Sequence, residues 1–211
     1  MKVQSLLTEL RYQLNDLEGL GYPDDLLTEF INDGLCFIYR YHPEHFAHST
    51  VHAAVLGDVQ CLGACCDRLL SVDAVCDACG NFVDMVRQGS TKQAALFDKA
   101  PINPVMRTVK LRANVNNEFA VWPPVTANEQ PLYFRVTCTR PPDAVRFGTD
   151  DIPGCAHHEA LLNYVLYRAY AVETESQTSA ALSQTCYQRC LQLLGLEQTA
   201  LTSARENNER P

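Results

Sequence analysis

The chain has 211 residues, 46% hydrophobic and 20% charged, with a formal net charge of -8 and a pI near 5.2. That length buries a core without covalent staples, so the ten cysteines are not needed for stability. The acidic balance, without a Lys/Arg stripe to displace phosphate counterions, argues against a protein whose task is to grip nucleic acid.

The opening MKVQSLLTELRYQLND mixes charges among its leucines, and no apolar run approaches the ~18 residues of a membrane span. The reading is a soluble chain made in a reducing cytoplasm, where thiols are free or metal-bound rather than paired. Val3, Leu6, Leu7, Leu10, Leu14 and Leu17 recur at helical spacing and predict an amphipathic helix over 3–17. LGYPDD then restarts the chain, with Pro23 suited to a first helical position and Asp24 and Asp25 favouring the positive end of a helix dipole. Leu27, Phe30, Ile31 and Ile38 give this second helix its apolar face, with Gly34 where another backbone could come close.

After Pro43 the texture changes to short alternating runs broken by Gly, Asn and Pro. Leu70, Val72, Ala74 and Cys76 alternate as a strand, followed by a turn over 77–81 into FVDMV. VKLRANV sets Val109, Leu111, Ala113 and Val115 against Lys110, Arg112 and Asn114; a turn at Asn116 and Asn117 leads into EFAVWPP, a strand stopped by Pro123 and Pro124. LYFRVTC is a third, with Leu132, Phe134, Val136 and Cys138 on one face. Helical spacing returns with Leu161, Tyr164, Val165, Arg168, Ala169 and Val172, and again with Leu182, Cys186, Cys190 and Leu193, closed by Gly195. The remainder, LEQTALTSARENNERP, is polar and is expected to be disordered in the isolated protein.

The expected architecture is therefore α+β: a four-helix bundle formed by N-terminal (1–48) and C-terminal (153–195) helical hairpins, with an inserted antiparallel β subdomain (49–152) and an extended C-terminal tail (196–211).

Chemistry concentrates in CLGACCDRLLSVDAVCDACG, residues 61–80. Cys61, Cys65, Cys76 and Cys79, with Gly80 after the last, have the look of a zinc ribbon, because thiolates about three apart can wrap one tetrahedral ion. Against that, Cys76 continues an alternating strand as a small apolar residue, and Cys66 is a thiol a four-ligand site would not use. CDAC does not open a helix after a strand, which disfavours a redox pair. His42, His45, His48 and His52 could supply imidazoles to the same metal, or be a solvated helix end and strand start; His157 and His158 read as a solvated first turn. Cys186 and Cys190 share a helix face and read as core. No nucleophile elbow, phosphate loop or dinucleotide fingerprint is present, and Asp24, Asp25, Asp150 and Asp151 read as caps and turns, so no catalytic residue and no cofactor is assigned.

Taken in order, LLTELRYQLND, DDLLTEFINDGL, YHPEHF, LGDVQCL, FAVWPP, ALLNYVLYRAYAVETES and YQRCLQLLG resemble the head-to-tail adaptor proteins of tailed bacteriophages over residues 3 to 195. Position by position the resemblance falls on Asn32, Asp33 and Gly34, on Gln60, on Val121, Trp122, Pro123 and Pro124, and on Tyr164, Tyr167, Arg168 and Ala169. It implies fold and assembly roles for these residues, and no enzyme. It further implies a structural virion protein in the neck between capsid and tail, forming a homo-oligomeric ring, usually of twelve. Such a ring docks beneath the portal protein, extends the DNA channel and receives a tail tube, nozzle or terminator protein, with DNA only as passing cargo and no membrane involved. Leu196, Leu201 and Arg205 in the tail are the expected portal-docking residues. An acidic lumen suits DNA that must slide without sticking. The departure is QCLGACC, where the family usually has a proline soon after the glutamine-leucine step. The reading from a different class is a zinc-stapled binding module using Cys61, Cys65, Cys76 and Cys79.

Overall fold

The computed structural model describes residues 1–93, 106–112, 115–153, 157–172 and 177–196, with the backbone alone at Cys65. Two compact units divide the chain: Met1–His45 with Pro142–Pro211, and Phe46–Pro141.

The first unit is helical. α1 (Val3–Leu14) buries Val3, Leu6, Leu7 and Leu10, the stripe its periodicity requires. It stops short of Leu17 because Asn15 takes a left-handed φ of 53° and the Asp16 carboxylate accepts the N–H groups of Leu20, Gly21 and Tyr22, capping the turn. Leu17 is consequently exposed. α2 (Asp24–Tyr41) follows Pro23, carries Asp24 and Asp25 in its first turn, and buries Leu27, Phe30, Ile31, Gly34, Leu35 and Ile38. α3 (His158–Val172) buries Ala160, Leu161, Leu162, Tyr164, Val165, Leu166 and Ala169, which lie around most of its circumference. The cause is its neighbours: α1, α2 and α4 (Gln177–Leu193) all pack on it, so one apolar stripe would not suffice. Val172, expected on the apolar side, is exposed.

α4 buries Ser179, Ser183 and Cys190, with Leu194 just beyond its end. The expected stripe of Leu182, Cys186, Cys190 and Leu193 is thus corrected by about one position, leaving Leu182 exposed. Two serines bring the α4 backbone close to α3, and the Ser183 hydroxyl donates to the Tyr167 carbonyl at 3.1 Å.

The second unit is a sheet of seven strands: β1 (Ala47–Ala53), β2 (Gly57–Cys61), β3 (Arg68–Cys76), β4 (Phe82–Gln88), β5 (Arg107–Leu111), β6 (Glu118–Val125) and β7 (Tyr133–Thr139), in the order β1-β7-β3-β4-β5-β6-β2. β7 and β6 stand four strand spacings apart, roughly 19 Å if the sheet were flat. Yet the rings of Phe134 on β7 and Phe119 on β6 meet edge to face at 5.3 Å, so the sheet curls into a half-barrel around a shared core. That core holds Val72, Val75, Val109, Phe119, Val121, Phe134, Val136 and Cys138. Alternation in LYFRVTC is visible directly: Phe134, Val136 and Cys138 are fully buried.

These observations overturn the expected four-helix bundle with an inserted antiparallel β subdomain. The fold is mixed α/β, its dominant element is the curled seven-stranded sheet, and that sheet is not wholly antiparallel, since β4 pairs with β5 in parallel (Val86 with Arg107, Gln88 with Val109). Periodicity reports which face of a strand is buried but not which strand lies beside it. β6 also runs through Pro123 and Pro124 to Val125 instead of stopping at them. Lacking N–H groups, the prolines fit where β2 bulges between Gly57 and Val59 and its ladder with β6 is interrupted. Two bulges in β3 against β7 break its alternation, so Leu69, Val72, Ala74, Val75 and Cys76 are buried while Leu70 is half-buried.

Candidate functional site

In the helical unit the motif residues gather where α2 meets α3. Asn32 works as a backbone clamp: its side-chain oxygen accepts the Val145 N–H at 2.8 Å and its amide donates to the Val145 carbonyl at 3.0 Å, tying the incoming segment to α2. Two residues on, Gly34 is buried where there is no room for a side chain. A Cβ there would stand 2.6 Å from Leu161 Cδ1 and 3.0 Å from Tyr164 Cδ1. Asp33 accepts a 2.6 Å hydrogen bond from the Arg168 guanidinium, which also lies 4.9 Å over the Phe30 ring. Both charged side chains are more than a third exposed, so the pair contributes at most about 1 kcal/mol and acts mainly to set the register of the helices. Tyr164 stacks at 5.0 Å on Phe37, and Tyr167 at 4.8 Å on Tyr187. Burial pushes the Tyr164 hydroxyl up, against the partial opposition of Arg168.

In the sheet unit Gln60 is fully buried and reads the loop between β1 and β2: its oxygen accepts the Val55 N–H at 2.7 Å and its amide donates to the Val55 carbonyl at 2.8 Å. Trp122, Pro123 and Pro124 lead to a residue the sequence reading passed over, Arg107. Its side chain is 1% exposed. The guanidinium donates to the Pro123 carbonyl at 2.6 Å and the Pro124 carbonyl at 3.4 Å, and makes an ion pair with Glu129. Glu129 in turn accepts from the Thr126 hydroxyl at 2.7 Å and the Thr126 N–H at 2.9 Å. Burial alone would raise the Glu129 carboxyl, but the Thr126 hydroxyl and N–H and the Arg107 charge outweigh it and hold it below the ordinary value. The signal lay in β5, where alternation puts Arg107 on the inward face with Val109, opposite the exposed Lys110.

The described cysteines of the stretch are not gathered as a zinc ribbon requires. Cys61 ends β2 at one edge of the sheet and is exposed, whereas Cys76 ends β3 in the interior and is buried. Among the described residues, Cys61, Cys76 and Cys79 belong to no group of three ligand atoms close enough to share an ion. The CDACGN turn is ordered by Asp77 instead: its carboxylate accepts the Cys79 and Asn81 N–H groups and the Asn81 amide, each at 2.9 Å, and Gly80 takes a φ of 84°. The Asn81 side chain and backbone lower the Asp77 carboxyl. Burial raises the Cys76 thiol, the opposite of a reactive thiolate, and raises Cys186 as well; it pushes Cys190 up to about 12.

The histidines divide. His48 and His52 lie on β1, where His48 stands 3.8 Å from the Cys138 sulfur and burial lowers His52. His158 Nε2 meets Glu9 at 2.9 Å, so it is tied rather than solvated. His42, at the end of α2, His45, in the short 3₁₀ turn Pro43–Phe46, and His157, just before α3, converge: each offers a ring nitrogen within 4.8 Å of the others. Burial first, then the neighbouring His45 and His42, lower His157. The sequence reading separated His157 from the other two because nothing in spacing joins residues so far apart in the chain.

Leu196 is half-buried just past α4; Leu201 and Arg205, with the rest of the tail from residue 197, lie outside the described residues, as do Ala113 and Asn114. No helix among the described residues is long and apolar enough to cross a membrane. The family model described as SU10 adaptor protein matches residues 1–210. None of the curated proteins matches the chain.

Proposed function

The chain belongs to the SU10 adaptor protein family, a structural family of phage head-tail adaptors, and from that premise we propose that it is the subunit of a ring docked beneath the portal in the virion neck. The observation that carries the reading is the extent of the match, residues 1–210, which takes in both units rather than one shared module. In this role the ring extends the DNA channel, gives a tail tube, nozzle or terminator protein its attachment, and assembles in the host cytoplasm.

The chemistry supports the reading. A net charge of -8 discourages adhesion of DNA that must pass through. Asn32, Gly34, Gln60 and the Arg107 cluster hold backbone segments in place, a structural rather than a catalytic arrangement. A closed ring needs head-to-tail contacts between unlike faces of neighbouring subunits, with twelve the expected number. The polar tail, with Leu196, Leu201 and Arg205, is the proposed portal-docking segment, ordering on contact.

The test is co-sedimentation of the purified chain with the portal of the same phage, alongside a variant ending at Gly195. Full-length protein is expected to travel with portal and the truncated protein to lose most of that binding. Failure of the full-length chain to bind portal contradicts the role; equal binding by both forms contradicts the docking segment alone.

A further inference from the structure

His42, His45 and His157 combine three features that a chance grouping of imidazoles lacks. Their rings are close and mutually inclined, His45 and His157 edge to face with centroids 4.3 Å apart, His42 and His157 5.2 Å apart, and His42 and His45 5.8 Å apart. Nitrogens around one tetrahedral ion at 2.0–2.1 Å lie roughly 3.3 Å from each other, so side-chain rotations of about an ångström close the set. Next, Nε2 of His157 is buried without a hydrogen-bond partner.

The last feature is the tautomer of His42. Its Nε2 lies 2.9 Å from the Leu194 carbonyl, which can only accept, so Nε2 carries the hydrogen. A neutral ring then directs its Nδ1 lone pair at the Glu44 carboxylate, 3.1 Å away, two acceptors with nothing between them. A cation beside Nδ1 resolves this. A carbonyl-anchored imidazole with its other nitrogen facing a cluster is the usual arrangement of a metal-bound histidine. Glu44, which also stands 3.9 Å from His45 Nε2, supplies a neighbouring negative charge.

The geometry points to a site for a divalent transition ion, Zn²⁺ by ligand type, held by Nδ1 of His42 and by ring nitrogens of His45 and His157, with water completing the tetrahedron. The ion fastens the end of α2 to the start of α3 and, through Leu194, to the end of α4. Binding to the folded chain alone stabilises it in proportion to the logarithm of ion concentration over dissociation constant. This inference is independent of the adaptor role.

The experiment titrates zinc into metal-depleted full-length protein at neutral pH and repeats the titration on His45→Ala, His157→Ala and Cys79→Ser. His45 is exposed, so its variant is expected to keep the fold, which circular dichroism checks. Expected are about one zinc per chain, a rise in melting temperature with zinc, affinity lower by about tenfold or more in each histidine variant, and none of that loss in Cys79→Ser. Cobalt in place of zinc is expected to show tetrahedral visible bands without a thiolate charge-transfer band. Clearly substoichiometric zinc, equal affinity in a folded His45→Ala, or a thiolate band overturns the assignment.

Discussion

Arg107 is almost wholly withdrawn from solvent, and its charge is tolerated because the Pro123 and Pro124 carbonyls and the Glu129 carboxylate surround the guanidinium. Arg107→Ala strands a half-buried carboxylate and frees two carbonyls, so a loss of about 3–5 kcal/mol in denaturant unfolding is expected. Arg107→Ala combined with Glu129→Gln recovers part of that loss, since no unpaired charge is left. The Glu129 carboxyl is held below its ordinary value of 4.5 in the folded chain, so its contribution is complete above that pH and is lost as pH falls through the lower folded value. Glu129→Gln should flatten that part of the stability profile below about pH 4.5; an unchanged acid limb would remove the carboxylate from the account. At Gly34 two effects oppose each other. Alanine favours a helix by about 1 kcal/mol, but crowding Leu161 and Tyr164 costs about 1–3 kcal/mol. A net loss on the order of 1 kcal/mol is expected in Gly34→Ala, and more in Gly34→Val.

Elements are legible in sequence to the degree that one neighbour dictates their pattern. α1 and α2 each show a single buried stripe, and Val3, Leu6, Leu7, Leu10, Leu27, Phe30 and Ile31 could be named from spacing alone. α4 was legible only at Cys190, because the rest of its buried face is Ser179 and Ser183, which hydropathy does not mark, while Leu182 draws the eye and faces water. The offset is directly testable: Leu182→Ser is expected to stay within about 0.5 kcal/mol of the parent, and Ser183→Leu to cost about 1–3 kcal/mol by forcing α4 off α3. The reverse order would restore the original stripe. Strand faces were similarly legible in β5 and β7, whereas the parallel β4–β5 pairing, the bulges of β3 and the passage of β6 through two prolines arise from tertiary neighbours. CDACG admitted two readings for a related reason: Asp77 and Gly80 build the turn expected over 77–81, which a metal knuckle would also explain.

At the scale of the molecule, family membership was legible because ordered strings in both units carried it, even though the expected architecture around them was wrong. INDGL and FAVWPP serve as clamp and clamped backbone whichever way the elements are stacked, so motif order identified the family where topology did not. The histidine trio was legible only in two of its three members, His42 and His45, since His157 reaches them through folding. On the proposed role, assembly joins the clamps to function: buried clamps, an acidic chain and a polar tail suit one subunit among identical neighbours around passing DNA. The most direct measurement is an electron-microscopy reconstruction of the full-length chain mixed with the portal of the same phage. A closed ring of this chain stacked on the portal, its channel continuous with the portal's, is the result the account requires. A chain that stays monomeric beside an unoccupied portal would contradict it.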